Sequence, residues 1–299
     1  MNDIFNLKKY YIKINDIVDG IFINSKGIGK PNIILISGYP DRGDSAWEPM
    51  IFDPISNFTK VIDYDRPGTI KIENDKIIES RSKPVKQPVS AKDQIKDIQK
   101  LVKSGKLETP FIMVAHSAGG LLTRLYAYKY PENVCGMILI DVTTETLLNT
   151  WTKEDITIFE YCREIGKQQL TAEYKDVELI DYYKSFEQIT NYTHNKLKID
   201  AIILSSSEVP NCPEMIDDGR WPSWVTQEMS EKYLKGVQNS HAQLANLFEP
   251  TAKHIIVPNC DHYIQKQQPQ LIIDLIKQMV SSKIPKDVAE IIDITNNYF

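Results

Sequence analysis

Residues 113–122 read MVAHSAGGLL: an apolar run, then a serine between small residues, then an apolar helical pattern. Alanine and glycine on both sides let the backbone bend sharply and expose the serine oxygen. Ala115-His116-Ser117-Ala118-Gly119 resembles the strand–turn–helix elbow written G-x-S-x-G, with Ala115 in place of the first glycine. We therefore interpret Ser117 as an exposed nucleophile, rather than as a serine that only caps the following helix.

The segments around this elbow alternate between strand and helix patterns. Continuous apolar runs typical of buried strands occupy 31–38, 60–68, 109–116, 133–141, 198–207 and 252–259. Helical patterns occupy 90–106, 118–131, 223–248 and 268–280. The segments 8–17 and 20–27 alternate with period two and predict an opening antiparallel hairpin, and 69–90 is interpreted as a long surface loop. This alternation predicts an α/β fold with a mostly parallel sheet and helices on both faces.

One long segment interrupts the alternation. Residues 142–198 are helical in pattern, acidic and rich in tyrosine, and they show no strand pattern. We expect them to form a helical lid over one end of the sheet, inserted into a core domain made of 1–141 and 199–299. Several aromatic residues in and after this segment either line a substrate cavity or, as we favour for any single one, pack on the sheet: Trp151, Tyr161, Tyr174, Tyr182, Tyr183, Tyr192, Trp221 and Trp224.

Composition excludes several functions. The formal net charge is −5, and no basic stripe suggests a nucleic-acid or anionic-membrane surface. The amino-terminal residues lack the continuous apolar core of a signal peptide, and no apolar run is long enough to span a bilayer, so a cytoplasmic location is expected. The four cysteines are scattered, no His/carboxylate spacing indicates a metal site, and no G-x-G-x-x-G follows the early strands. We expect a small-molecule substrate and no cofactor or metal.

A serine nucleophile needs a base, and the chain has five histidines. Only His262, in NCDHYIQKQQPQLII, follows a predicted strand end and precedes the last long helix. His254 falls inside a strand, while His194 and His241 fall in helical segments. His262 is therefore the candidate general base, which gives the chain order of nucleophile first and histidine last.

These features together resemble the α/β-hydrolase family. VAHSAGGLLTRLYAYKYPENVCGMILIDVT is similar to the block from elbow to next strand in its small esterase and lipase-like members, NCDHYIQKQQPQLIIDLIKQMV to their histidine loop and final helix, and DYDRPG to a common mid-chain motif. The resemblance covers about residues 8–282, with a gap over the inserted segment. It implies an eight-stranded sheet with a helical lid.

The resemblance also implies an oxyanion site and a third catalytic residue. Family members place Gly-x after the third strand, and Ser37-Gly38-Tyr39-Pro40 fills that place, so the backbone N–H groups of Tyr39 and Ala118 are the candidate donors. The acid that orients His262 has two candidates at strand ends, Asp141 and Glu208. We favour Asp141, which ends the strand after the elbow.

The implied activity is that of a carboxylesterase-like serine hydrolase acting on an ester, thioester or lactone. Two alternatives remain open from the sequence. A lyase or carbon–carbon bond hydrolase would use the same serine and histidine, and a non-catalytic ligand-binding protein would use only the scaffold.

Overall fold

The computed structural model describes residues 13–209 and 211–283, and its centre is one large β-sheet. The strands are β1 Ile14–Val18, β2 Ile21–Lys26, β3 Asn32–Ile36, β4 Val61–Tyr64, β5 Ile70–Glu73, β6 Lys76–Glu79, β7 Phe111–His116, β8 Val134–Ile140, β9 Asp200–Ser205 and β10 Lys253–Ile256. Eight of them form the sheet in the order β1-β2-β4-β3-β7-β8-β9-β10. Within this sheet, as described for residues 13–209 and 211–283, only the pairs β1/β2 and β2/β4 are antiparallel. The predicted mostly parallel, eight-stranded sheet is confirmed.

Helices cover both faces of the sheet. They are α1 Gly43–Trp47, α2 Phe52–Ile55, α3 Ala91–Lys103, α4 Gly119–Lys129, α5 Leu147–Thr150, α6 Lys153–Glu173, α7 Tyr182–Thr190, α8 Cys212–Asp217, α9 Gln227–Ala245, α10 Ile264–Gln267 and α11 Pro269–Lys283. One apolar core lies between the sheet and α3, α4, α7 and α9, and a second lies between the sheet and α1, α2, α10 and α11. Within residues 13–209 and 211–283, no helix is both long enough and apolar enough to cross a membrane.

The strand sequences explain these two cores. Along β7, Met113 and Ala115 face the first core, whereas Ile112 and Val114 face the second. Side chains alternate between the faces of a strand, so a strand that is buried on both faces must be apolar at every position. The continuous apolar runs in the sequence therefore place β3, β7 and β8 at the centre of the sheet.

The opening hairpin has the predicted form. β1 and β2 pair in register from Ile14 with Ser25 to Val18 with Ile21, and Asp19 and Gly20 turn between them with φ of 47° and 83°. Two successive positive φ values define a turn whose twist matches that of the strands. The predicted residues 8–12 of this hairpin lie outside the described residues.

The interpretation of 69–90 as one long surface loop is wrong. β5 and β6 pair as a small separate hairpin, with Ile70 opposite Glu79. Asn74 and Asp75 form its tip with φ of 51° and 57°, as a two-residue hairpin requires. The period-two alternation in IKIENDKIIE was the missed signal, because the high polar content of the segment concealed it.

Between β8 and β9 the chain forms α5, α6 and α7. The last of these, α7, packs against α3 and α4, and thus lies on a face of the sheet. An isolated bridge between Val89 and Ile180 also ties this segment to the loop before α3. The segment 142–198 is therefore joined to the core by many contacts as well as by its two ends.

Candidate active site

Ser117 lies at a sharp bend between β7 and α4. Its φ is +52°, a left-handed conformation that is unfavourable for a residue with a side chain. The neighbouring chain holds this bend: the Ser117 N–H donates to the Ile140 carbonyl at 3.1 Å, and the Ser117 carbonyl accepts from the Thr143 N–H at 3.0 Å. The strain is thus balanced by hydrogen bonds to the end of β8.

The small residues after Ser117 are required by close packing. A Cβ placed on Gly120 would stand 2.5 Å from the Cβ of Val142, and one on Gly119 would stand 2.8 Å from the Ser37 carbonyl oxygen. Contacts that short are far inside van der Waals separation, so a larger side chain would force the helix away from the sheet. The two glycines let α4 begin directly below the serine.

Three predicted residues lie together at the carboxyl edge of the sheet. The Nε2 atom of His262 is 2.9 Å from the Ser117 Oγ, and its Nδ1 is 2.7 Å from the Asp141 Oδ2. The histidine comes from the loop between β10 and α10, about 145 residues after the serine. Parallel strands end at the same edge, so residues distant in sequence meet there.

Asp141 is held in place by more than the histidine. It directly follows β8 with a φ of +43°, and its carboxylate accepts hydrogen bonds from the N–H and the hydroxyl of Ser206 at 2.9 and 3.2 Å. Burial opposes its negative charge, but the hydrogen bond from His262 and the surrounding donors outweigh this and lower the pKa of Asp141 to about 2. The group is therefore a carboxylate at neutral pH.

Of the two candidate acids, Asp141 is the one that contacts the imidazole. Glu208 lies three residues beyond the end of β9, and its N–H donates to the carbonyl of Cys260 at 2.9 Å. The loop that carries Glu208 is thereby fixed to the start of the histidine loop. This geometry supports the preference for Asp141.

The carboxylate of Asp141 also sets the protonation of His262. Removal from bulk water lowers the pKa of the imidazole, but the hydrogen bond and the charge of Asp141 outweigh that effect, and the net pKa of His262 is raised. Because Nδ1 donates to the carboxylate, the neutral ring presents its unprotonated Nε2 to Ser117. That tautomer is able to accept the hydroxyl proton.

The preceding residue, His116, supports the loop that carries His262. It is fully buried, and its Nε2 lies 2.9 Å from the His262 carbonyl oxygen, which can only accept. Burial lowers the pKa of His116 to about 3, so the ring is neutral and Nε2 carries the proton. The two histidine rings pack with centroids 4.6 Å apart. His116 thus has a structural role beside the candidate base.

The predicted oxyanion loop lies against the elbow. A Cβ on Gly38 would be 2.9 Å from the Cβ of Ser117, so only glycine permits this approach. Among the described residues, neither the N–H of Tyr39 nor that of Ala118 has a hydrogen-bond acceptor. Two free backbone donors beside a serine hydroxyl are what the stabilisation of a developing oxyanion requires.

Sequence analysis missed the side chain that supports this loop. Arg66, from DYDRPG after β4, donates to the carbonyl oxygens of Ser37 and Gly38 at 2.6 and 3.0 Å. A trans peptide points its C=O and the following N–H in opposite directions, so Arg66 turns the N–H of Tyr39 away from itself. The arginine thus orients one of the two candidate donors.

Arg66 in turn is held by Glu178, from the segment before α7. The two side chains form a bidentate ion pair with distances of 2.8 and 2.9 Å, and each side chain is only 1% exposed. Gln94 adds a hydrogen bond to the same carboxylate at 2.8 Å. No local pattern marks Glu178 in the sequence, because its partner lies 112 positions away.

A cavity of about 370 Å³ lies beside His262 and is mostly apolar. Its walls come from α5, α6, α8 and α9 and include Leu147, Trp151, Phe159, Trp221, Tyr233 and Val237. We call it the apolar cavity.

Of the predicted aromatic candidates, Trp151 and Trp221 line it. Tyr174 packs under the β5–β6 hairpin, Tyr192 stacks on Tyr128, and Trp224 is exposed.

The model of the alpha/beta hydrolase fold family matches residues 31–269, which include the elbow, the strand end at Asp141 and the histidine loop. That match spans most of the chain. The protein therefore belongs to the alpha/beta hydrolase fold family.

Solved structures share this fold at low sequence identity. The carboxylesterase CesB (YbfK) from Bacillus subtilis is 14% identical, with a TM-score of 0.56 over 94% of this chain and 96% of that one. Cfl2 from Burkholderia cenocepacia is 15% identical, with a TM-score of 0.56 over 90% and 95% of the two chains.

A sequence relative, the uncharacterized protein YqjL of Bacillus subtilis (strain 168), is 28% identical over 138 residues, which are 45% of this chain and 50% of YqjL. This chain thus matches about half the length of that relative.

Proposed function

We propose that the protein is a serine hydrolase that cleaves a carboxylic ester, thioester or lactone through an acyl-enzyme on Ser117. The observation that carries this proposal is the hydrogen-bonded series from Ser117 through His262 to Asp141, with distances of 2.9 and 2.7 Å. Nucleophile, base and orienting acid are in contact and in the order that acyl transfer needs. The catalytic residues proposed are these three.

In the first step His262 Nε2 takes the proton of the Ser117 hydroxyl while the oxygen attacks the carbonyl carbon. The carbonyl oxygen becomes an oxyanion, which the N–H groups of Tyr39 and Ala118 stabilise, and Asp141 stabilises the imidazolium. Collapse of the intermediate breaks the bond to the alcohol or thiol, which leaves with the proton from His262. Water then repeats the sequence on the acyl-enzyme and releases the acid, so no cofactor takes part.

The apolar cavity supports a substrate that carries a hydrophobic group. It contacts His262 directly and is lined mainly by aliphatic and aromatic side chains, in a volume suited to a small or medium-sized group. We further propose that 142–198, which supplies Trp151 and Phe159 to its wall, acts as a lid that selects this group. A cytoplasmic location is part of the same proposal.

The test is turnover of p-nitrophenyl esters of increasing chain length and of a lactone. Wild type should hydrolyse at least one of them, and Ser117→Ala should lower kcat/KM by about 10⁵–10⁶-fold. Ser104→Ala, which changes an exposed serine at the end of α3, is the matched control and should retain activity.

A quenched-flow reaction followed by mass spectrometry separates this proposal from a lyase or a carbon–carbon bond hydrolase. We expect an acyl group on the peptide that contains Ser117. Turnover without that adduct would favour the alternative chemistry, and a folded protein that binds esters but cleaves none would indicate a ligand-binding function.

A further inference from the structure

A second cavity, of about 490 Å³, shares no lining residue with the apolar cavity. It is bounded by the Tyr39 side chain, by α6 and by residues 179–182 that lead into α7. We call it the arginine pocket, because Arg163 lines it. One of its wall residues, Tyr39, is also the residue whose backbone N–H is a candidate oxyanion donor. The pocket is therefore adjacent to the proposed reaction centre.

Arg163 is held in position by aromatic rings instead of by an acid. Its guanidinium carbon lies 4.6 Å from the Tyr182 ring centroid, 5.5 Å from that of Phe159 and 5.9 Å from that of Tyr183. Stacking of this kind fixes the plane of the guanidinium and leaves its edge N–H groups free. One Nη makes a long contact of 3.5 Å to the Ile180 carbonyl. Most of the five donors thus remain available to a ligand.

The acids around the pocket are already engaged. Glu160 accepts from the Tyr183 hydroxyl at 2.7 Å, Glu164 pairs with Lys167 at 3.2 Å, and Asp181 accepts from the N–H of Lys184 at 3.1 Å. Among residues 13–209 and 211–283, none of the ion pairs includes Arg163. The guanidinium is therefore a half-buried cation that forms no ion pair with these carboxylates, so it is able to pair with an anionic ligand.

Two phenols face the same space. Tyr39 and Tyr182 both line the pocket, and within the described part of the chain neither hydroxyl has a hydrogen-bond partner. Burial raises the pKa of Tyr39 to about 12 and also raises that of Tyr182, so both phenols keep their protons and can donate. A guanidinium with two O–H donors beside it matches the acceptor oxygens of a carboxylate.

We propose that the arginine pocket binds a carboxylate group of the substrate, so that the preferred substrates are esters that also carry a free carboxylate. This inference rests on the proposed hydrolase function and adds the charge of the substrate to it. Arg163 is the specificity-determining residue, and Tyr39 and Tyr182 supply the additional donors.

The test compares mono-p-nitrophenyl esters of linear diacids, from succinate to suberate, with the same compounds whose second carboxyl is a methyl ester. For at least one chain length, wild type should prefer the anionic compound by about tenfold or more in kcat/KM, as expected for a charge-assisted contact. Arg163→Gln should reduce that preference to about one, since it removes the charge and keeps a polar side chain.

Lys153→Gln is the matched control, because it removes a positive charge from an exposed position at the start of the same helix. It should retain the preference of wild type. A preference for the methyl ester at every length, or the same preference in Arg163→Gln and Lys153→Gln, would overturn the proposal.

Binding without turnover separates this inference from the proposed function. In Ser117→Ala, calorimetry should show tighter binding of a diacid monomethyl ester than of its dimethyl ester, and this difference should vanish in Ser117→Ala/Arg163→Gln. Hydrolysis without a charge preference in either assay would contradict carboxylate binding by the arginine pocket, but not the hydrolase function. A charge-dependent difference in binding without hydrolysis would contradict the hydrolase function alone.

Discussion

The strand side and the helix side of the candidate site are built by different forces. On the strand side, Ser117 and Asp141 both have positive φ, and each is fixed by hydrogen bonds between neighbouring strand ends. On the helix side, the apolar cavity is enclosed by aromatic and aliphatic side chains from α5, α6, α8 and α9. Directional hydrogen bonds fix the positions of the candidate catalytic atoms, whereas apolar packing fixes the shape of the cavity. Changes on the strand side should therefore affect all substrates, and changes on the helix side should affect the choice among them.

Among the changes that test this contrast, the largest loss of activity is expected when the acid on the strand side is removed. Asp141→Asn keeps the size of the side chain and a residue type that tolerates positive φ, but it loses the charge that orients and stabilises His262. We expect kcat/KM to fall by about 10³–10⁴-fold for short and long esters alike.

The control for that change is Glu208→Gln, which alters the other acid that the sequence offered. Steady-state kinetics on the same esters should show a far smaller loss for it. A larger loss in Glu208→Gln than in Asp141→Asn would assign the acid to Glu208 and overturn the interpretation of the strand side.

The buried ion pair tests whether the strand side depends on the segment before α7. Glu178→Gln leaves Arg66 buried without its partner and should lower the free energy of unfolding by about 3–5 kcal/mol. Urea denaturation measures this change, and Glu187→Gln, at an exposed position on α7, is the control.

In the fraction of Glu178→Gln that remains folded, kcat should also fall for every ester, since Arg66 orients the Gly38–Tyr39 peptide. Loss of stability with unchanged kcat would show that the pair is only structural.

On the helix side, a larger side chain should change which acyl chain lengths are hydrolysed well. Val237→Phe adds volume on the wall of the apolar cavity, so kcat/KM should fall by about tenfold or more for longer acyl chains and stay near wild type for acetate. Ala242→Phe, at an exposed position on the same helix, is the control. An equal loss for all chain lengths would mean that the cavity does not hold the variable part of the substrate.

The smallest effect expected is on pH dependence. His262 must be neutral to accept a proton, and its pKa is raised above the ordinary value of 6.5, so kcat/KM should fall as pH drops and reach half its maximum above pH 6.5. In Asp141→Asn the charge that raises this pKa is absent, and the midpoint of the residual activity should move to lower pH. A wild-type midpoint below 6.5 would contradict the effect assigned to Asp141.

Sequence patterns predicted the strand side better than the helix side. The apolar runs, the small residues around Ser117 and the position of His262 depend on local backbone rules, and the structure brings Ser117, His262 and Asp141 together. Their catalytic roles remain predictions. The choice between Asp141 and Glu208 stayed open because both follow strands, and only the tertiary fold determines which carboxylate reaches the imidazole.

The helix side was harder to predict from the sequence because its contacts are long-range and nonspecific. A list of aromatic residues in 142–198 could not distinguish Trp151, which lines the apolar cavity, from Tyr192, which stacks on Tyr128. Glu178 lacks any local signal for the same reason, since its partner Arg66 lies far away in the sequence. Apolar rings fit many packing arrangements, and only the assembled fold selects one.

Reaction with a fluorophosphonate probe, located by peptide mass spectrometry, tests most directly whether Ser117 is a nucleophile activated by His262. Folded wild type should carry one adduct, on Ser117, and that adduct should be absent in Ser117→Ala and strongly reduced in His262→Ala. A folded wild-type protein that remains unlabelled, or a label at another residue that persists in Ser117→Ala, would contradict it.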